Sequence, residues 1–287
     1  MYRNNQTFLQ PILEDPEIFR VYVDTKNVIS DSTQETILNH HLKWQMMLMP
    51  NLGILNNISH VGGTTGLELR YQYLITEILE KSWKEKIRFL KLANVKYIIS
   101  SQMLDRIPEL IGQVERINSI VYRIRNNLPR AWIVGQLHPI RNGTISELID
   151  GSFDPASSAL TKGEIVDRNN KAFFREIDDI SYKQTGKIHI ELTTETPGIL
   201  VLSESSYPGW KVFVDGMEKE CLWLNLLFQG VEIEKGKHEI DFIYRPKYFS
   251  LFASISIVSL VLFLFLWFFS ILSVRKKRHI TILDIDK

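Results

Sequence analysis

Four basic side chains at helical spacing form the sharpest chemical pattern in the sequence. They are Lys81, Lys84, Arg88 and Lys91. At 100° per residue these positions fall within about 80° of arc, so on a helix they form one stripe. Such a stripe could contact the phosphates of an anionic polymer or of lipids. The plainer alternative is a solvated helix face opposite the core, and the sequence leaves both interpretations open.

Two aromatic residues in "SSYPGWKVFVDG" form a second candidate site. Tyr207 and Trp210 enclose a Pro-Gly pair, and the large apolar faces of aromatic rings suit stacking on sugar C–H surfaces. Alternatively, Trp210 belongs to the core of a β-sandwich and Tyr207 lies at a strand entry. The sugar-stacking interpretation is the weaker of the two.

The sequence contains no pattern typical of a catalytic, metal or phosphate-binding site. "GGTTG" (62–66) lacks the lysine of a Walker motif, and a loop before a helix capped by Thr65 and Glu68 explains it better. The seven histidines are scattered without metal-ligand spacing. The single cysteine, Cys221, excludes an internal disulfide and fits a small strand residue. We therefore expect no catalytic residue, metal or cofactor in this chain.

Composition limits the class of protein further. The 287 residues carry a net charge of +1, with 34 basic and 33 acidic side chains. Such a balance argues against an overall attraction to nucleic acid. The length suffices for one large domain or two ordinary ones.

The basic stripe falls in a region, residues 1–128, that predicts a small α/β unit. Strands are predicted at residues 19–23, 95–99 and 120–125. Apolar residues repeat with helical period over residues 67–79 and predict an amphipathic helix. A second helix follows, in which Trp83, Ile87 and Leu90 face inward.

Residues 129–248 have the alternating pattern of β-strands. Apolar side chains alternate at Ile188, Ile190 and Leu192, at Trp210, Val212 and Val214, and at Ile240, Phe242 and Tyr244. Asp215-Gly216 supplies a tight hairpin turn, and residues 166–176 predict an exposed linker or loop. The predicted fold is α+β: the α/β unit, an antiparallel β-sandwich of the immunoglobulin or jelly-roll kind, and one C-terminal membrane helix.

The membrane helix is predicted at residues 249–274, which carry no charge. As a helix they would span about 39 Å, against about 30 Å of bilayer hydrocarbon. The basic run 275–278 predicts a cytoplasmic tail, residues 275–287, and an extracytoplasmic N-terminal region. Four serines on about 100° of arc predict contact with other membrane helices. These are Ser256, Ser259, Ser270 and Ser273.

This orientation raises a question of export. Residues 1–20 have neither a basic n-region nor an apolar h-region. We therefore expect either a piece of a larger membrane protein, whose earlier spans supply the signal, or a tail-anchored protein with its domain in the cytoplasm.

Several stretches, in order, resemble the C-terminal part of the bacterial YfhO-type membrane proteins. They are "LPRAW" (128–132), "FDP" (153–155), "LVLSESSYPGWKVFVDG" (200–216), "FQGVEIEKGKHEIDFIYRP" (228–246) and the apolar helix that follows. The likeness extends from about residue 16 to residue 274. In the place of an aromatic-Asp-Pro stretch of relatives, this chain has "GGTTGLEL".

The resemblance implies a many-span protein with a topology like GT-C glycosyltransferases, and an extracytoplasmic region before the last helix. It further implies sugar transfer from polyprenyl-phosphate donors to envelope polymers such as lipoteichoic acid. Catalytic acidic residues would lie on an early loop outside this chain. The expected function is accessory or acceptor-docking, in the bacterial cell membrane. Expected partners are the lipid bilayer, other membrane helices and an anionic envelope polymer, but no nucleic acid. A stand-alone envelope-binding or structural module and a tail-anchored cytoplasmic protein remain alternatives.

Overall fold

The computed structural model describes residues 7–25, 57–62, 70–141, 145–152, 154–162, 172–177 and 179–283. Its α-helices are α1 (Gln10–Leu13), α2 (Arg70–Leu79), α3 (Trp83–Leu92), α4 (Ser146–Ile149) and α5 (Phe249–Leu283). Short 3-10 helices lie at Thr7–Leu9, Leu104–Arg106 and Pro108–Leu110. The strands of these ranges form three sheets.

The first sheet belongs to the α/β unit. Its strands are β1 (Arg20–Val23), β2 (Ser59–His60), β3 (Val95–Ile99), β4 (Val114–Arg116) and β5 (Val121–Ile124). They are ordered β2-β1-β3-β5-β4, with β1 parallel to β2 and β3, and β5 antiparallel to β3 and β4. Strands lie at all three places where the sequence predicts them. Helix α3 follows α2, as the apolar repeats predict.

The other two sheets form the β-sandwich. In chain order their strands are β6 (Ala131–Val134), β7 (Gln136–Pro139), β8 (Ser158–Thr161), β9 (Phe174–Ile177), β10 (Ile180–Gln184), β11 (Lys187–Thr194), β12 (Gly198–Ser205), β13 (Trp210–Val214), β14 (Met217–Lys219), β15 (Leu222–Leu224), β16 (Phe228–Ile233) and β17 (Gly236–Tyr244). The outer sheet has the order β10-β11-β17-β13-β14, and the central sheet the order β7-β8-β15-β16-β12-β6-β9. Apart from the parallel pair β7–β8, neighbouring strands in both sheets are antiparallel. The predicted α+β fold with an antiparallel sandwich is confirmed.

Both faces of the central sheet are buried. Successive side chains of a strand point to opposite faces, and in β6 Ala131 and Ile133 pack in the core shared with the outer sheet. Trp132 and Val134 pack in a second core, which also contains Ile87 of α3. This second core crosses the boundary predicted between residues 128 and 129, so the α/β unit and the sandwich share apolar packing.

Local sequence explains where α3 and one hairpin begin and end. Ser82 caps α3, with Glu85 completing a capping box through a 3.3 Å bond from the Ser82 backbone N–H. Asp215 and Gly216 have φ of 51° and 79° and form the predicted hairpin turn between β13 and β14. The capping box predicted at Thr65 and Glu68 lies outside the described residues.

The prediction of an exposed linker or loop at residues 166–176 is partly wrong. Residues 174–177 form β9, an edge strand of the central sheet that pairs with β6. The side chains of Phe174, Arg175 and Glu176 are nevertheless exposed, because β9 is an edge strand with a neighbouring strand on one side only. Residues 163–171 lie outside the described ranges.

Helix α5 confirms the predicted C-terminal apolar helix. Its 35 residues begin at Phe249, and Phe249–Ile271, 23 residues, is long and apolar enough to cross a membrane. None of that segment is buried within the protein. Among the described residues none covers this span, so its apolar side chains are open to lipids or to other helices.

Candidate functional site

The four basic side chains of the predicted stripe lie along the turn before α3 and along α3 itself, but in two different environments. Lys81 and Lys84 are exposed, and the Lys81 Nζ lies 3.8 Å from the Glu77 carboxylate, with both side chains 41% exposed. Arg88 donates a 2.8 Å hydrogen bond to the carbonyl of Ile149. Lys91 is half-buried, and this burial lowers the pKa of its ammonium.

Helix α4 accounts for the environment of Arg88. It packs beside α3, and the carbonyl of its last residue, Ile149, accepts the Arg88 bond. The sequence pattern could not show that a distant short helix would engage Arg88. An anionic ligand would therefore meet Lys81 and Lys84 first. Contact of the four residues with such a ligand stays a prediction.

The structure brings Tyr207 and Trp210 together and adds a third aromatic residue. The Trp210 and Tyr207 rings lie 5.4 Å and 6.1 Å, centroid to centroid, from the ring of Tyr244 at the end of β17. Trp210 also packs against the sandwich core, whereas Tyr207 is 37% exposed. Tyr207 is thus more exposed to solvent than Trp210, and the role of the pair in sugar stacking stays a prediction.

This aromatic turn, residues 207–210, is fixed to the chain that leads into α5. The Arg245 backbone N–H donates a 2.7 Å bond to the carbonyl of Gly209. Gly209 has φ of 114°, and a Cβ there would lie 3.1 Å from the Tyr244 ring and 3.2 Å from the Cα of Pro246. Only glycine suits this conformation and this close approach. The chain that leads into α5 is consequently held at its start by β17 and by the aromatic turn.

A buried ion cluster, which the sequence did not indicate, joins the α/β unit to the sandwich. Glu204 of β12 accepts a bond from Arg130 at 2.6 Å and from the Tyr182 hydroxyl at 2.9 Å. Arg130 also donates to the Tyr182 hydroxyl at 2.7 Å. The other carboxylate oxygen of Glu204 lies 3.6 Å from Arg20 of β1.

Arg20 is the member of the ion cluster that crosses between the two regions. Its guanidinium donates to the Ser203 hydroxyl at 2.7 Å, to the Ser203 carbonyl, and to the Ala93 carbonyl at 2.9 Å. Burial and the neighbouring Arg130 lower the pKa of Arg20 to about 10. Burial alone would raise the pKa of Glu204, but Arg130 and Arg20 outweigh it and hold that pKa below its usual value.

Other titratable side chains of the described residues offer little for catalysis. Burial raises the pKa of the Cys221 thiol to about 11, so at neutral pH it is not a thiolate. Burial also lowers the pKa of His60 to about 4. His189 and His238 each bond an aspartate, Asp241 at 2.8 Å and Asp215 at 2.7 Å. Within the described part of the chain, no group of three or more His, Cys, Asp and Glu side chains could hold a metal ion.

One known family resembles the chain over most of the sandwich, from residue 149 on, and over the start of the membrane helix. Residues 149–256 match the family model described as bacterial membrane protein YfhO. No curated protein and no solved structure matches the chain. The matched segment contains Glu204, the aromatic turn and the first residues of α5, while the basic residues of α3 precede it. The similarity to YfhO-type bacterial membrane proteins therefore covers residues 149–256 and supports a membrane protein of this type.

Proposed function

We propose that residues 1–248 are an extracytoplasmic accessory region of a YfhO-type protein that acts in glycosylation of cell-envelope polymers. In this proposal the region does not transfer the sugar. It holds an anionic acceptor polymer of the lipoteichoic-acid type close to the membrane, where a polyprenyl-phosphate donor resides. The region works with further membrane helices that contact α5.

The observation that carries the proposal is the short connection between the sandwich and α5. Tyr244 ends β17 and Phe249 begins the helix, and the Gly209–Arg245 bond holds the first of the four residues between them against the aromatic turn. A surface on such a domain stays near the bilayer, which suits work on a substrate at the membrane. The YfhO match over residues 149–256 supports the membrane setting.

Lys81 and Lys84 are the side chains that we propose to meet the polymer. Both are exposed, and Lys81 forms a long, solvent-exposed ion pair with Glu77. Exposed pairs of this kind contribute little to stability. Each basic side chain near an anionic surface is worth about 1 kcal/mol and is screened by salt. Binding by two to four such contacts would be weak, which suits a polymer that must move on.

Binding of poly(glycerol phosphate) to the full chain in nanodiscs tests the proposal. We expect Lys81→Gln with Lys84→Gln to weaken binding at least about tenfold at low salt, since two contacts of about 1 kcal/mol are lost. Changing Arg88 and Lys91 to Gln as well should weaken it further. Wild-type binding should largely disappear near about 0.5 M salt.

Lys235→Gln with Lys237→Gln is the matched control. It removes the same charge from two exposed lysines at the β16–β17 turn and should leave binding unchanged. Equal weakening by both double variants would show a general charge effect. Unchanged binding in the Lys81 and Lys84 variant would show that this helix face is solvated and does not bind the polymer.

A further inference from the structure

We propose that the membrane-proximal end of the sandwich rests in the headgroup layer of the bilayer that α5 crosses. This end consists of residues 207–209 and the linker 245–248. This end contacts the lipid headgroups, and its basic side chains recognise their phosphates. The inference goes beyond the proposed function, because it needs neither a polymer nor a particular side of the membrane.

The distances leave little room between the aromatic turn and the hydrocarbon. Phe249, the first residue of the apolar span, donates its backbone N–H to the Pro246 carbonyl at 3.1 Å. The Cα of Pro246 lies 3.2 Å from the place of a Cβ on Gly209. A headgroup layer is about 5–8 Å thick on each side, since hydrocarbon takes about 30 Å of a bilayer of about 40–45 Å. Gly209 therefore lies at headgroup depth.

The side chains at this end have the chemistry of a membrane interface. Tyr207 and Tyr248 are 37% and 54% exposed, and tyrosine is enriched at the headgroup level because its ring is apolar and its hydroxyl polar. Arg245 and Lys247 are exposed beside them, with the Lys247 Nζ 5.4 Å from the Tyr248 ring centroid. Basic side chains at this depth attract lipid phosphates.

The opposite end of the sandwich provides an internal comparison. Trp210 pairs with Tyr244 and Val214 with Ile240, so β13 leads away from the linker over four residues, about 13 Å at roughly 3.3 Å per residue. Met217 pairs with Val214 at the far end of the β13–β14 hairpin and is 62% exposed. An upright sandwich therefore places Pro208 among headgroups and Met217 in water.

Spin-label depth measurements on the full chain test this arrangement. In a Cys221→Ser background, a nitroxide is attached at Pro208→Cys or at Met217→Cys, and the protein is reconstituted in phosphatidylethanolamine–phosphatidylglycerol vesicles. Collision rates with oxygen, which concentrates in lipid, and with a water-soluble nickel complex are compared. We expect the oxygen-to-nickel ratio to be several-fold higher at position 208 than at 217. A label at Phe252→Cys calibrates the hydrocarbon.

Equal ratios at positions 208 and 217 would overturn the proposal. Should loss of the turn proline unfold the protein, Tyr207→Cys places the label one residue away and repeats the comparison.

The phosphate contact is tested by Arg245→Gln with Lys247→Gln, which should lower the ratio at 208. Lys235→Gln with Lys237→Gln, at the far end, should not. An unchanged ratio in the first pair would remove phosphate recognition from the proposal.

Discussion

At Glu204 one carboxylate faces two arginines that come from different parts of the chain. Arg130 precedes β6 in the sandwich, and Arg20 opens β1 in the α/β unit. Their side chains are only 5% and 10% exposed. Removing one member of a buried ionic group leaves the others unpaired in a poorly solvated place, which costs more than the pair itself contributes. Loss of Glu204 would therefore leave two poorly solvated arginines without their shared carboxylate where the two regions meet.

We expect Glu204→Gln to destabilise the protein by about 3 kcal/mol, in the range measured for broken buried ion pairs. Denaturant unfolding of the purified protein in detergent measures this. Glu218→Gln is the matched control, because Glu218 also bonds a basic residue, Lys211 at 2.8 Å, but with both side chains about half exposed. It should cost less than about 1 kcal/mol. Equal costs would refute the central role of the ion cluster.

The same variant carries a pH signature. Because the pKa of Glu204 is lowered in the folded protein, its ionic contribution is fully present above the ordinary value of 4.5 and is lost as the pH falls through the lowered pKa. The stability difference between wild type and Glu204→Gln should therefore shrink below pH 4.5. A purely steric effect of the substitution would give a difference that does not change with pH.

Among the elements, α5 raises the question of what covers its apolar span, Phe249–Ile271. On the face that carries Ser256, Ser259 and Ser270, Ser256 and Ser259 donate their hydroxyls to carbonyls one turn earlier, at 2.9 and 2.8 Å. Their hydrogen-bonding capacity is thus used within the helix, and small size is what they offer to a neighbour. The serine face of α5 is therefore suited to close packing against another helix more than to polar bonding.

Ser259→Leu with Ser270→Leu should weaken that packing. Two bulky side chains on the small-residue face would hold a neighbouring helix away, and we expect several-fold lower abundance of the assembled protein in the native host. Val261→Leu with Phe268→Leu changes the opposite face of the helical wheel and serves as the control. If the serine variant accumulates and co-purifies with partners as wild type does, this face has no helix partner.

Structural features that neighbouring residues determine could be predicted from the sequence, and features that depend on distant contacts could not. Val95–Ile99, the Asp215-Gly216 turn and the apolar α5 are decided by neighbouring residues, and all were predicted. The burial of Arg88 under α4 was not, because it arises from a contact across 61 residues. The Arg20–Ser203 bond spans 183 residues. A single sequence holds no periodic signal for such pairs.

For the molecule as a whole, the basic run 275–278, which follows the apolar span of α5, predicts that the C-terminus is cytoplasmic and the folded region extracytoplasmic. In a Cys221→Ser background, a membrane-impermeant maleimide applied to intact cells should label Met217→Cys. It should label Asp284→Cys only after the membrane is permeabilised. Labelling of position 284 alone in intact cells would favour a tail-anchored protein with its domain in the cytoplasm.

The position of β17 has a mechanical consequence. This strand continues into the membrane helix, and it lies between β11 and β13 with partners along its length. A polymer pulled away from the membrane would stretch the protein roughly along β17. Antiparallel hydrogen bonds run perpendicular to the strands, so such tension acts on all of them at once in shear and does not unzip them one by one. We therefore expect the domain to withstand pulling through α5 better than pulling at the edge strand β14.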